Sequence, residues 1–243
     1  MNLALFTPEE FSRPLPRSDR RAEHLRRVLH ADVGTSFDAG LLNGPRGKAT
    51  VTALDANTLT LSFTATAPAA LADPLVLLLG LPRPQTARDI LRDATTLGVS
   101  ALHFIITERT DANYATSSLW RDGAWRRHVI AGAEQAFSTQ IPDVTVGRTL
   151  AEALDELAPD TRRLALDNYE APSSLAGHAA LHDANAATPV VLAFGPERGW
   201  SAADRAQLRA ADFQLAQLGE RVLRLETAVI AALTLVKAAR GVL

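Results

Sequence analysis

The chain contains no cysteine. That single absence removes disulfide frameworks, thiolate zinc sites, iron–sulfur clusters and cysteine nucleophiles, and it fits a reducing compartment. No targeting segment is expected either: Met1 to Glu10 carries two acids and no basic stretch followed by an apolar core. Apolar runs such as Leu75 to Leu81 are far too short to cross a bilayer, so the expectation is a cytoplasmic protein with no membrane partner. Lysine is nearly absent, with Lys48 and Lys237 standing among 25 basic residues. No Gly-x-Ser-x-Gly elbow is present, which argues against hydrolase chemistry. The glycine-bearing turns have neither the Gly-Lys-Ser/Thr ending of a phosphate loop nor the GxGxxG dinucleotide pattern.

What remains is an ordinary globular composition, 47% apolar and 21% charged over 243 residues. This is enough chain for one large domain or two modest ones. A net charge of −2 weighs against nucleic acid, but the distribution is uneven. Six arginines fall between Arg13 and Arg27, against only Asp19 and Glu23. Arginine's planar fork suits phosphate and base edges, although a solvated helix face has the same composition.

The first 70 residues or so read as short strands with one helix. Leu3 to Phe6 is a short apolar run, and Ser18 is placed to cap a helix through Leu29 with Ala22, Leu25, Val28 and Leu29 on one face. Strand-like pieces follow at Val33–Phe37, Lys48–Leu54 and Thr58–Phe63, punctuated by turns at Gly40, Asn43-Gly44 and Asp55–Asn57, which suggests a small barrel. Ala65 to Pro74 reads as a linker. Beyond it, Pro74 to Gly80 is continuously apolar, the mark of a strand buried on both faces. A helix over 85–97, a strand at Ala101–Ile106 and a helix of about twenty residues ending near Phe137 come next. Strands at Arg163–Leu166 and Pro189–Phe194, a helix capped by Ser201 and a last helix from Leu225 to Arg240 complete an alternation that implies a mostly parallel sheet.

Two segments carry the chemistry. In Val191-Leu-Ala-Phe-Gly-Pro-Glu-Arg-Gly-Trp-Ser201 a buried strand ends in Gly195-Pro196, passes Gly199 and enters a helix at Ser201. Open α/β sheets bind ligands outside the carboxyl ends of their strands, where glycine lets backbone approach closely. An ordinary βα turn has the same local pattern. Leu218-Gly-Glu-Arg-Val-Leu-Arg-Leu-Glu-Thr-Ala228 leads into the final apolar helix, with Gly219 for a tight turn and Glu226 in the first helical turn, where a carboxylate also suits the helix dipole.

In this order and spacing the segments resemble the ribosomal small-subunit methyltransferase E family, SPOUT-class enzymes that make 3-methyluridine in 16S rRNA. That family carries a GPEGG-type loop followed by LGxRxLRxETA, here Gly195-Pro-Glu-Arg-Gly199 and Leu218 to Ala228. The resemblance continues through His24-Leu-Arg-Arg-Val-Leu29 with Gly34, Asp38-Ala-Gly40, Ile90 and Ala94-Thr95 with Leu97-Gly98-Val99, Glu108-Arg109, and Ala133-Glu134-Gln135 with Pro142. The chain departs from the family at Gly80–Pro84, His30, Ser138-Thr-Gln140, Arg198 and Leu225.

The resemblance implies an α/β fold with an N-terminal PUA-like RNA-binding barrel over residues 1–68. A SPOUT domain with a trefoil knot and mostly parallel sheet would then occupy 74–243, and the protein would be a homodimer acting on 16S rRNA or the small subunit. It also implies S-adenosylmethionine as cofactor, held by Phe194, Gly195, Pro196, Glu197, Gly199, Leu218, Gly219, Val222, Leu223 and Leu225. Arg224 would serve electrostatically near the carbonyl oxygens of a flipped uracil, with Glu226 orienting it, and Arg13, Arg20, Arg26 and Arg27 would touch RNA. A SPOUT methyltransferase with another RNA target or atom, and a non-catalytic RNA-binding or ribosome-assembly protein, are the alternative readings. No metal is expected: His178 and His182 have helical i, i+4 spacing, but no HExxH glutamate or third ligand accompanies them. Trp120, Trp125 and Phe137 read as core or dimer contacts, and Phe6 and Phe11 as structural.

Overall fold

The computed structural model describes residues 3–182 and 188–243, with His182 described through its backbone alone. The chain divides into two compact units, residues 1–71 with 133–141, and residues 72–132 with 142–243.

The first unit contains β1 (Ala4–Phe6), β2 (Leu15–Pro16), α1 (Arg20–Arg27), β3 (Ser36–Leu41), β4 (Arg46–Leu54) and β5 (Thr58–Ala67). Its strands form one curled sheet, a half-barrel in the order β1-β3-β4-β5-β2, in which β1 and β3 are parallel and the other pairs antiparallel. The end strands β1 and β2 are not hydrogen-bonded to each other. Phe6, Leu25, Val51 and Leu59 form the fully buried centre. The Phe11 ring lies 4.7 Å from Phe6 and 5.0 Å from Phe63, so Phe6 and Phe11 are core aromatics.

Helix α1 corrects two details of the sequence reading. Its cap is Asp19 rather than Ser18: the Asp19 carboxylate accepts the Arg21 amide at 2.8 Å, while Ser18 stands one residue too early. The helix also ends at Arg27, because His30 adopts a left-handed conformation (φ 48°) and the Ala31 amide donates back to the Leu25 carbonyl at 3.0 Å. Val28 and Leu29, expected on the apolar face, are therefore exposed. Residues 133–141 strap this unit: Thr139 Oγ1 donates to the Gly44 carbonyl at 2.6 Å, and the Asn43 amide donates to the Thr139 carbonyl at 2.8 Å. A side chain at Gly40 would collide with the Thr139 methyl, which explains the glycine. The departure from the family pattern at Ser138–Gln140 thus falls on a packing segment of this unit.

Arg21, half-buried, donates to Glu10 through both terminal nitrogens (2.9 and 2.6 Å), to Asp19 and to the Leu5 carbonyl. The bidentate hydrogen bond from Arg21 holds the Glu10 carboxyl below its ordinary value of 4.5, against a smaller opposing effect of burial. A depressed carboxylate stabilises the fold above its unfolded value and loses that contribution as pH falls through the folded value. Glu10→Gln is therefore expected to lower stability by about 1–2 kcal/mol at pH 7. The difference from wild type should shrink as pH falls below 4.5 through the depressed folded-state titration of Glu10, as read by thermal unfolding across that range.

The remaining elements are β6 (Asp73–Gly80), α2 (Pro84–Thr96), β7 (Val99–Ile106), α3 (Ser118–Arg121), α4 (Arg126–Gln135), β8 (Asp143–Thr149), α5 (Leu150–Asp155), β9 (Arg162–Leu166), β10 (Ser173–Ser174), α6 (Ala179–His182), β11 (Val190–Phe194), α7 (Ala202–Ala210), β12 (Gln214–Gln217) and α8 (Leu225–Ala239). The seven strands pair in the order β10-β12-β9-β11-β6-β7-β8, and every pairing is parallel. Strand β11 is buried along its whole length and Leu77–Leu79 of β6 are inaccessible, as the continuous apolar runs predict.

The expected twenty-residue helix is instead a 3-10 turn at Ala112–Thr116 followed by α3 and α4. Gly123 sits at φ 68° between the two helices and breaks the run. Trp120, on α3, is buried with its ring 4.7 Å from Phe104. The strands β8 and β12 were not anticipated. The first is a half-buried edge without clean alternation, and the second is only four residues long. Among the described residues no helix is long and apolar enough to cross a membrane.

Candidate active site

Chain order and spatial order disagree at the middle of the parallel sheet. From β6 the chain runs outward through β7 and β8, returns to β9 on the other side, and only later places β11 between β9 and β6. A reversal of this kind leaves a crevice at the carboxyl ends of the strands on either side of it. A cavity of about 560 Å³ lies there, within the usual range for small-molecule sites.

Three chain segments wall it. The first leaves β11 at Phe194. The Gly199 amide donates to the Pro196 carbonyl at 2.7 Å, closing a tight turn in which Gly199 takes φ 70°. Ser201 then caps α7 in a reciprocal box with Asp204. The turn is packed against the end of β6: a Cβ on Gly80 would meet the Pro196 nitrogen, lie 2.5 Å from Pro196 Cδ and 2.9 Å from the Gly195 carbonyl carbon. Backbone meets backbone here, so only glycine fits.

The second segment is Leu218 to Ala228. Gly219 adopts φ 107°, and its amide donates to the Gln217 side chain at 2.8 Å. The chain then reaches Arg224, which stands in extended conformation at the N-cap position of α8 with no side-chain cap. Leu218, Val222, Leu223 and Leu225 give this wall its apolar character, with Arg224 and Glu226 beside them. Among the described residues neither the Arg224 guanidinium nor the Glu226 carboxylate is in an ion pair.

The third segment, Leu166 to Tyr169 beyond β9, was not foreseen. Asp167 is buried, and its Oδ1 accepts the Tyr169 and Glu170 amides at 2.7 and 2.6 Å. Its Oδ2 accepts Arg205 Nε at 2.7 Å in a pair whose side chains are 2% and 8% exposed. Trp200 Nε1 donates to the Leu166 carbonyl at 3.0 Å and so ties the β11 turn to the end of β9. No glycine or motif marks residues 166–169 in the sequence. The available signal was an Asp-Asn turn directly after a buried strand.

The structure therefore brings together around one cavity nine of the ten residues expected for the cofactor, together with Arg224 and Glu226; Gly219 is not among the lining residues. The arginines of the N-terminal cluster are distributed differently. Arg13 is exposed, Arg20 pairs with Glu134 at 2.7 Å, and Arg27 pairs with Glu23 at 2.9 Å on the surface. Arg26 donates to the Thr58 carbonyl at 2.9 Å and to that of Asp55, bracing the turn between β4 and β5. His178 is buried beside its own turn, and the His182 side chain lies outside the described residues. Among the described residues no group of three or more His, Cys, Asp or Glu could hold a metal ion.

A parallel sheet with a cavity at its switch point defines a ligand-binding α/β domain, and the RNA methyltransferase domain family matches residues 70–237 of this chain. Within that class, the chain belongs to the ribosomal RNA small subunit methyltransferase E family. It is 34% identical to the Treponema pallidum protein of that name over 98% of this chain and 91% of the relative. It is 27% identical to one from Borreliella burgdorferi over 96% and 95%. Its fold matches the crystal structure of a ribosomal RNA small subunit methyltransferase E from Neisseria gonorrhoeae bound to S-adenosyl methionine. That match has a TM-score of 0.76 and 26% identity, and covers 98% of this chain and 97% of the other.

Proposed function

We propose that this protein transfers the methyl group of S-adenosylmethionine to N3 of a uridine in 16S rRNA. The observation that carries the reading is that Phe194–Gly199 and Leu218–Glu226, separate in sequence, wall one cavity at the carboxyl ends of β9, β11 and β6. The cavity suits the cofactor: close backbone turns can cradle its polar end, and Leu218, Val222, Leu223 and Leu225 offer apolar surface to its ring. Phe194, Gly195, Pro196, Glu197 and Gly199 complete the holding set. Bound there, S-adenosylmethionine supplies an electrophilic methyl group on a sulfonium.

The chain's own residues have three tasks in such a displacement. The walls exclude water and fix the approach of the base, which must be held in line. Arg224, exposed at the cavity edge, stabilises the negative charge that develops on the uracil oxygens as N3 gives up its proton to bulk solvent. Glu226, two residues further along in the first turn of α8, orients that guanidinium when the base is present. The reading extends to a homodimer with the family's trefoil knot, to a PUA-like RNA-holding role for the first unit through Arg13, Arg20, Arg26 and Arg27, and to a cytoplasmic location.

The test is methyl transfer from labelled S-adenosylmethionine to 16S rRNA, with the product nucleoside identified by mass. Arg224→Ala is expected to lower kcat by about 10–100-fold while the heat of cofactor binding persists. Transfer at the wild-type rate by Arg224→Ala would remove the arginine from the chemistry. Appearance of label on a ribose or on a different base would replace uridine N3 as the target.

A further inference from the structure

A second cavity of about 250 Å³ adjoins the first, and Arg83, Pro196, Glu197 and Arg198 border both. Leu81 and Pro196, both buried, line it together with Arg109 and Tyr114. Tyr114, half-buried, is held in the 3-10 turn, where its amide donates to the Asp111 carbonyl at 3.0 Å.

The charges here are unevenly engaged. The Asp111 carboxylate accepts the Asn113 amide at 3.0 Å, and Glu197 Oε1 accepts the Arg83 amide at 3.1 Å. Both acids are thus already hydrogen-bonded by backbone donors. Arg109 donates one terminal nitrogen to the Arg198 carbonyl at 3.0 Å, which fixes it beside the turn and leaves its other donors available. The Arg198 guanidinium makes no hydrogen bond or ion pair among the described residues. The result is one small cavity lined by two buried apolar residues, a tyrosine and guanidinium groups with donors to spare.

We propose that this cavity receives the nucleotide adjoining the methylated uridine. Its phosphate would lie on Arg109 and Arg198 and its base against the Tyr114 ring. Guanidinium pairs match phosphate oxygens in a planar fork, and aromatic rings stack any unpaired base without regard to sequence. The inference rests on the RNA methyltransferase reading for the position of the target base in the larger cavity. It adds a specific demand: the substrate must be single-stranded for at least one residue beyond that base, so that two neighbouring bases can leave their stack.

The experiment measures binding of a short single-stranded oligouridylate by fluorescence anisotropy, with S-adenosylmethionine present and no turnover required. Tyr114→Ala and Arg109→Ala are each expected to weaken binding about tenfold or more. Tyr114→Phe should bind like wild type, because it keeps the ring. Arg109→Ala should also flatten the dependence of log affinity on log salt by about one unit. Thermal unfolding and cofactor calorimetry on the same variants separate a collapsed site from a lost contact. Equal affinity in wild type, Tyr114→Ala and Arg109→Ala overturns the proposal, as does wild type that binds no oligouridylate. If wild type binds the oligonucleotide but methylates no RNA, the methyltransferase reading fails while the binding comparison still decides the role of this cavity.

Discussion

Gly80→Ala is expected to abolish S-adenosylmethionine binding at concentrations that saturate wild type, and to lower stability by about 3 kcal/mol. The added methyl would sit 2.5 Å from Pro196 Cδ and 2.9 Å from the Gly195 carbonyl carbon, with the Pro196 nitrogen also in its way. Neither side can yield cheaply. Gly80 ends β6, whose pairing with β11 is continuous from Leu75 to Leu79, and Gly195-Pro196 begins the turn that walls the cavity. The strain must therefore be relieved by moving the turn, which carries the cofactor-facing backbone with it. Gly219→Ala provides the contrast. Nothing lies within 4 Å of its Cβ position, so the cost is the left-handed backbone alone, about 1 kcal/mol, with the cavity walls in place. Calorimetric titration and thermal unfolding of both variants check the pair. Cofactor affinity unchanged in Gly80→Ala would show that this close approach does not shape the site.

Asp167→Ala is expected to destabilise the protein by about 3–5 kcal/mol. Its carboxylate is buried and accepts three donors, the Tyr169 and Glu170 amides and Arg205 Nε. Removal leaves the buried Arg205 cation with a longer and more exposed ion pair to Glu170 at 3.5 Å and with the Tyr169 ring, whose centroid is 5.5 Å from its guanidinium carbon. Breaking a buried pair costs more than deleting it whole, so Asp167→Ala/Arg205→Met should be less destabilised than Asp167→Ala. The loop Leu166–Tyr169 should also loosen in the single variant, weakening cofactor binding beyond the loss of stability. Urea unfolding of the two variants and wild type decides the matter. A single-variant cost below about 1 kcal/mol would mean that the pair contributes no more than a surface salt bridge.

These two variants fall on either side of what could be read from the chain. Gly195 and Gly199 announce a turn, Ser201 announces a helix start, and Pro189–Phe194 announces a buried strand, each through neighbours within a few residues. The parallel α/β class followed from the same kind of signal, continuous apolar runs alternating with amphipathic helices. The single helix expected before Phe137 failed for the converse reason: apolar spacing persisted across Gly123, and one glycine in the left-handed region outweighed it. Arg26, one of the arginines expected at RNA, also donates to carbonyls of the β4–β5 turn more than 25 residues away, a contact that no local pattern marks.

The sequence by itself determined part of the local vocabulary of this protein: the continuously apolar central strands, the turn around Gly195 and Gly199, the cap at Ser201, and that residues 195–199 and 218–228 belong to one family signature. These depend on periodicity, backbone preference and side chains that act within a turn of helix or strand. Only the tertiary structure decided that β11 lies between β9 and β6, that Asp167 and Tyr169 join the cavity, and that Arg109, Arg198 and Tyr114 share a neighbouring one. Those placements are set by long-range strand pairing and by buried polar contacts such as Asp167 with Arg205, and neither leaves a local mark on the order of residues.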